Sequence, residues 1–342
     1  TARGCPFDCD FCSVSRTAGR SYRFRPLEGV LEELSSLGRN RGVLFIDDII
    51  NGHRKHAREL FRAITPLKIR WGAQATMLLA QDEELLELAH EAGCAFLFIG
   101  FETFSNAGLK KLGKPSNWHE RFFRVVERLH AKNIAIWGAF VLGLDSDTRE
   151  SLKETVQVLK EAKLEFAQFC IQTPLPGTAL YRQYVTEGRL RETDWSKYSF
   201  GNVNFLPKNM TAQELREAFA YAWSEFYNGK SARQRLSWHK LFRFPYGPKG
   251  FRSPLYSSPL VYWAANIGIS RLVQYHFKHG ERTRALGAPE SGFERMRREQ
   301  GRPAELPDVF GPRNPDSVPG AGNLAILNPA PFGSQQPTPS DD

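Results

Sequence analysis

Three of the five cysteines fall within eight residues, in the stretch RGCPFDCDFCSV at positions 3–14. The spacing is C-x3-C-x2-C, which puts Cys5, Cys9 and Cys12 on one short loop. Clustering of this kind, in a reducing compartment, favours metal binding over disulfides. Three thiolates can hold three irons of a [4Fe–4S] cubane, whose full protein ligation would need four. The remaining iron is then open to a substrate or cofactor, as in other metal sites that keep a vacant position. A zinc site would ask for a fourth Cys or His close by, and the nearest histidine, His53, lies far along the chain in a helical stretch. A thioredoxin-type redox pair would need only two cysteines. Cys94 and Cys170 stand alone in apolar surroundings and read as buried core residues, the common fate of free cysteine.

A second set of polar residues sits where short apolar runs end. From residue 29 to 173 the chain alternates between such runs and amphipathic stretches. The runs are 43–47, 69–75, 95–101, 134–142 and 166–172, all short and rich in branched or aromatic residues, as buried strands are. Between them, Leu31, Leu34 and Leu37 share one helical face, Leu85, Leu88, Ala89 and Ala92 another, and Leu152, Val156 and Leu159 a third. Asp147 with Glu150 resembles a helix start, and Gly93 sits where a helix should stop. Alternating strand and helix predicts parallel βα units, closed into a full or partial barrel or laid out as an open sheet. In either arrangement the site gathers at the C-terminal strand ends. Asp47, Asp48, Gln74, Glu102 and the 142–145 turn are therefore expected at one mouth. Paired aspartates at a strand end suit an ammonium group, although one of them could simply cap a helix. Glu102 can accept two hydroxyl hydrogen bonds, and Gln74, a lone amide at a buried strand end, should have a partner.

The pattern changes after about residue 180. Thr211 and Glu214 form a capping box before a helix that presents Leu215, Phe219, Trp223 and Phe226 on one face. Residues 255–279 read as a more apolar helix, either packed over the barrel or resting on a membrane surface with its basic end toward anionic lipid. Beyond about 282 the chain is rich in Pro, Gly and charge, a composition expected to be disordered. The expected domains are 1–185 as the catalytic core, 186–281 as a mostly helical extension and 282–342 as a tail. No run of 18 apolar residues occurs, so no spanning helix is expected, and with no signal peptide the expected compartment is the cytoplasm. The formal net charge of +9 could serve an anionic partner, but the basic residues are spread through the chain without an arginine-rich arm. A solvated basic surface is therefore the expectation, and nucleic acid is not an expected partner.

The cysteine motif, with the aromatic Phe11 before its last cysteine, resembles the signature of the radical S-adenosylmethionine (SAM) superfamily. In that family, SAM chelates the open iron, and an electron from the cluster cleaves the sulfonium to release a 5′-deoxyadenosyl radical. The resemblance implies a partial (β/α)6 TIM-like barrel, here an α/β fold with its first strand expected ahead of Thr1. It places Asp47 and Asp48 at the segment that holds the SAM amino group and Glu102 at the SAM ribose or amino-acid end, with Gln74 expected as a similar cofactor contact. It places Gly138 and Gly143 in a glycine motif whose backbone meets the adenine. The stretches TARGCPFDCDFCSV, WGAQAT, IGFET and QTPLPGTALYRQY, with Trp195, Tyr198 and NFLPKNMT, are similar to the cobalamin-dependent branch. Members of that branch include methyltransferases acting on unactivated carbon and a ring-forming enzyme of bacteriochlorophyll synthesis. That branch carries its cobalamin domain ahead of the cysteine motif, so cobalamin is expected only in a longer parent protein, of which this chain is a fragment. The expected function is SAM cleavage that starts methyl transfer or ring formation on a small-molecule or lipid substrate. An electron donor such as ferredoxin or flavodoxin is implied, and peripheral membrane contact is open. The alternatives are an RNA-modifying enzyme resembling the methylthiotransferases and a non-catalytic Fe–S or zinc-binding fragment.

Overall fold

Each of the five apolar runs forms a strand, and the five strands make one parallel sheet. The computed structural model describes residues 1–37, 42–104, 118–236 and 264–273, all within one compact unit, Thr1–Arg295. The sheet strands are β3 (Gly42–Phe45), β4 (Arg70–Ala75), β5 (Cys94–Glu102), β6 (Ala135–Leu142) and β7 (Phe166–Ile171), in that spatial order. Neighbouring pairs are parallel, and helices fill the crossovers: α3 (Arg54–Ile64), α4 (Leu78–Gln81), α5 (Glu83–Glu91), α6 (Trp118–Ala131) and α7 (Arg149–Glu161). Ahead of the sheet, β1 (Ala2–Arg3) pairs antiparallel with β2 (Arg23–Phe24). The cysteine loop and α1 (Val14–Thr17) lie between them, and α2 (Leu27–Ser36) follows. Among the described residues β3 pairs only with β4. The five parallel strands with their crossover helices suit a partial barrel.

One face of the sheet is dry. Trp71 stacks on Phe61 with ring centroids 5.0 Å apart, and its indole N–H donates to the Ala92 carbonyl at 3.0 Å. A buried indole needs such a partner. Phe101 meets Phe122 edge to face at 4.8 Å, and Phe140 continues the row toward Phe169. Gly93 ends α5 with φ +92°, a conformation that glycine adopts without penalty, and its carbonyl accepts from Trp71 N–H. The expected start of α7 is shifted by one residue. Thr148, not Asp147, is the N-cap, in a capping box with Ser151. Asp147 instead turns back to the preceding loop, where its short carboxylate reaches two amides.

The chain beyond 185 does not leave this core. Helices α8 (Ala179–Thr186), α9 (Ala212–Phe226) and α10 (Gly229–Arg235) follow, and the Thr211–Glu214 capping box forms as expected. Leu215 and Phe226 join the same buried cluster as the sheet. The Tyr227 hydroxyl closes a pair of hydrogen bonds with the Ala167 backbone, donating at 2.7 Å and accepting at 3.0 Å. Arg235 is buried beneath β7, donating to the carbonyls of Leu164, Glu165 and Phe226 and to Asn266. Burial pulls its guanidinium down to about 10. Asn266 belongs to α11, residues 264–273, the described part of the apolar segment 255–279. Within it Asn266 and Val273 face the fold, whereas Leu272 is exposed. Asn266 and Val273 thus anchor this stretch to the fold, while residues 255–263, 274–279 and the tail from 282 lie outside the described residues. No helix among the described residues is long and apolar enough to cross a membrane.

Candidate active site

The cysteine loop is held at both ends. Cys5 N–H donates to the Gly19 carbonyl at 3.1 Å, and Leu180 N–H, at the start of α8, donates to the Asp10 carbonyl at 2.9 Å. The loop enters at Gly4, whose φ is +99° and where a Cβ would lie 2.3 Å from the Ser21 carbonyl oxygen. Only glycine fits that approach. A turn closes inside the loop, from Cys12 N–H to the Cys9 carbonyl at 3.1 Å. Cys5 is buried, Cys12 half-buried and Cys9 exposed, while Phe11 packs against the core.

The backbone amides of Phe7 and Val14, each two residues on, donate to the sulfurs of Cys5 and Cys12. Burial pushes both thiols up, the two amides oppose it, and neighbouring charge adds to it. Cys5 feels the charge of Cys12, Cys12 that of Glu102, and both feel Asp48. Among the described residues no three Cys, His, Asp or Glu side chains are grouped to hold one metal ion. A cubane asks for something different, one thiolate on each of three irons. Three soft sulfurs on a fixed loop, two of them receiving N–H donors, fit that demand.

The two aspartates after β3 divide their work. Asp47 is 3% exposed and its carboxylate is occupied by the first residues of the chain. It accepts from the Thr1 amine at 3.0 Å, the Thr1 hydroxyl at 2.6 Å and Ala2 N–H at 2.6 Å. Asp48 is half-buried, accepts from Gly4 N–H at 3.1 Å and faces the cysteine loop. Neither caps α3, whose N-cap is His53.

Glu102 ends β5 with φ +72°, a left-handed conformation that a non-glycine residue rarely adopts. The β5–β6 register slips at the same point, between Gly100 and Glu102. The side chain consequently folds back over Gly100, where a Cβ would stand 2.4 Å from Glu102 Oε1. That placement brings the carboxylate to the face of the sheet opposite the helices. Its charge acts on Cys12 and on Cys170. Strained backbone of this sort persists where the surroundings over-determine it, which is often at functional sites.

Two neighbouring residues lie elsewhere than expected. Gln74 is exposed, and its side-chain amide makes no hydrogen bond among the described residues, because it points away from the helices into the open face. Its backbone carbonyl accepts from Ile50 N–H at 2.9 Å. Cys170 is not a core residue. Strand alternation turns it to the Glu102 face, half-buried, where the Gln168 amide donates to its sulfur at 3.4 Å. Cys94 does fall in the core.

The two glycines of β6 separate. Gly143 closes the strand with φ +90°, and its N–H and that of Leu144 both donate to Asp147 at 2.9 Å. It stands at the C-terminal strand ends with Glu102. Gly138 lies on the helix-packed face, where a Cβ would meet Phe140 and Leu164. It makes room for packing and is not brought to the mouth. Sequence reasoning also passed over an aromatic row on the open face. Phe98, Trp137 and Phe166 occupy paired positions on three strands, with ring centroids 5.9 and 5.8 Å apart. Period-2 alternation within each run was the available signal.

A family model described as the radical SAM superfamily matches residues 1–159. The chain is 34% identical over 239 residues to the bacteriochlorophyllide d C-12(1)-methyltransferase of Chlorobaculum tepidum, covering 68% of this chain and 52% of that one. It is 29% identical over 259 residues to the anaerobic magnesium-protoporphyrin IX monomethyl ester cyclase of Cereibacter sphaeroides, covering 73% and 40%. The chain thus spans about half the length of the curated relatives it matches. Its fold is similar to that of the radical SAM methyltransferase TsrM from Kitasatospora setae, solved with cobalamin and a [4Fe-4S] cluster, with a TM-score of 0.52 over 80% of this chain and 60% of that one at 17% identity. Residues 1–159, which carry Cys5, Cys9 and Cys12, thus belong to the radical SAM superfamily.

Proposed function

We propose that this chain is the catalytic core of a radical SAM enzyme that transfers a methyl group, or closes a ring, on a small-molecule substrate of tetrapyrrole type. The observation that carries the reading is the meeting of the cysteine loop with Asp48 and Glu102 at the C-terminal ends of the strands. Cys5, Cys9 and Cys12 hold a [4Fe–4S] cluster, which when bound supplies the open iron and the electron for SAM cleavage. Asp48, half-exposed beside the loop, receives the SAM ammonium group; Asp47 supports it by holding Thr1 and Ala2, the segment that leads into the cysteine loop. Glu102 accepts hydrogen bonds from the ribose hydroxyls. The backbone at Gly143 borders the adenine, and Phe11 holds the last cysteine against the core. Gln74, free on the open face, is available to substrate. The named activities of the bacteriochlorophyllide methyltransferase and the protoporphyrin ester cyclase support the substrate class. Cobalamin, present in the structural relative, belongs on this reading to a longer parent protein and is assigned to no residue here. The electron comes from an external carrier protein.

The test is reductive SAM cleavage. Anaerobically reconstituted protein, given dithionite and SAM, should release 5′-deoxyadenosine or S-adenosylhomocysteine, and Cys12→Ala should release neither. No product from protein with full iron content would contradict the proposal.

A further inference from the structure

The five arginines of the first 25 residues, scattered in sequence, are gathered by the fold around the cysteine loop. Arg3 and Arg23 are register partners in the β1–β2 ribbon, and Arg25 lines the same groove beside them. Arg16 and Arg20 reach over the loop itself to Asp8, at 3.1 and 3.3 Å. All five are exposed, as are Pro6, Phe7, Asp8, Cys9 and Asp10 of the loop. Neutralisation is incomplete. Asp8 is shared by two arginines, Arg25 pairs with Glu33, Arg23 donates to the uncharged Ala18 carbonyl at 2.9 Å, and Arg3 has no side-chain partner among the described residues. The outer side of the cysteine loop is thus a cationic rim around an apolar tip, Phe7, that is 40% exposed.

We propose that this rim is the docking face for an acidic one-electron carrier protein, held by Arg3, Arg16, Arg20 and Arg23 around the exposed loop. The inference rests on the radical SAM reading of the site. A cluster on Cys5, Cys9 and Cys12 lies just beneath the exposed segment that carries Cys9, so a partner seated there has the shortest route to it. The carrier is oxidised by one electron and the cluster is reduced by one, with no bond made or broken. Charge complementarity steers such encounters and sets their rate more than their final affinity. A rim of arginines around a small apolar contact is the arrangement a transient redox partner uses, because it must bind and leave quickly.

The test measures binding of an oxidised, acidic flavodoxin to the reconstituted full chain by fluorescence anisotropy at low and high salt. Replacing Arg3, Arg20 and Arg23 by Gln should weaken binding about tenfold at low salt, an effect that fades near 0.5 M salt as screening shortens to a few ångströms. The Lys versions of the same three sites should restore most of the affinity, since charge rather than fork geometry is required. A control lacking Lys153, Lys163 and Lys230, exposed cations outside the cysteine-loop segment, should bind within about twofold of wild type, because charges beyond a Debye length are screened. Equal losses in the two Gln triples, or no salt-dependent binding at all, would overturn the proposal. So would tight binding of a short RNA that the arginine triple alone abolishes while flavodoxin stays unbound. Dithionite separates the two levels of inference: SAM cleavage with dithionite but arginine-independent flavodoxin binding would remove the docking face and leave the enzyme reading intact.

Discussion

At the scale of single residues the site turns on Glu102 and the glycine beneath it. The run IGFET showed a carboxylate at a strand end, and its place at the mouth was legible from strand alternation alone. What the sequence could not show is how a side chain at the end of a strand comes to face the site. The left-handed φ of Glu102 does this, with the missing side chain of Gly100 giving the carboxylate its seat. Gly100→Ala should therefore displace the carboxylate, and because the displaced atom is the far end of a flexible side chain, the fold should tolerate it. SAM affinity should fall by the worth of one charge-assisted hydrogen bond, about 1.5–3 kcal/mol or roughly 10- to 150-fold. The melting temperature should move by no more than a few degrees, as for a change of about 1 kcal/mol. Equilibrium dialysis with labelled SAM checks it. An unchanged affinity in Gly100→Ala alongside a loss in Glu102→Ala would mean that the carboxylate does not need its glycine seat. The cysteines were legible because ligand spacing is local. Cys170 was not, since an apolar neighbourhood in sequence does not say which face of a strand a side chain takes.

At the scale of elements, the helices and strands follow their apolar periodicity closely, and the departures sit at caps. The Thr211–Glu214 box forms where the sequence places it, whereas at α7 a neighbouring Thr–Ser pair takes the cap and frees Asp147. That aspartate closes the Gly143 turn from a buried position. Burial pushes its carboxyl up to about 7, against the hydrogen bonds from Leu144 and Gly143 and with a further push from the Asp145 charge. A carboxyl with a higher pKa in the fold than its ordinary value of 3.8 binds its proton more tightly when folded. Its contribution is complete below about pH 4 and declines as pH rises through about 7, since the unfolded chain then holds fewer protons than the folded one over that window. Asp147→Asn keeps an acceptor for both amides and removes the titration. The variant should gain on wild type as pH rises from 5 to 8, with a ceiling of ~4 kcal/mol over the whole window and a shift on the order of 5 °C in relative melting temperature. Scanning calorimetry of both proteins at the two pH values checks it. A difference that stays constant with pH, or that shrinks toward pH 8, would contradict the assignment of the proton to Asp147.

At the scale of the whole molecule, alternating strand and helix was enough to predict a parallel sheet with its site at the C-terminal strand ends. The boundary expected at residue 185 was less well marked by physics than by pattern. Tyr227 and Arg235, each hydrogen-bonded to backbone of the β7 region, carry the later helices into the first core. Such contacts join residues 60 and 71 positions apart, and no local periodicity encodes them. The arginines around the cysteine loop come together over a shorter span: all five lie in the first 25 residues, and the β1–β2 ribbon folds that segment back on itself. The central claim is that three thiolates on this loop hold a cluster whose fourth iron is open to SAM. Mössbauer spectroscopy of iron-57-reconstituted protein tests it most directly. The account predicts about four irons per chain, with one iron site whose isomer shift moves when SAM is added and no cluster in Cys5→Ala, Cys9→Ala or Cys12→Ala. Four equivalent irons indifferent to SAM, or full iron content in any of the three variants, would contradict it.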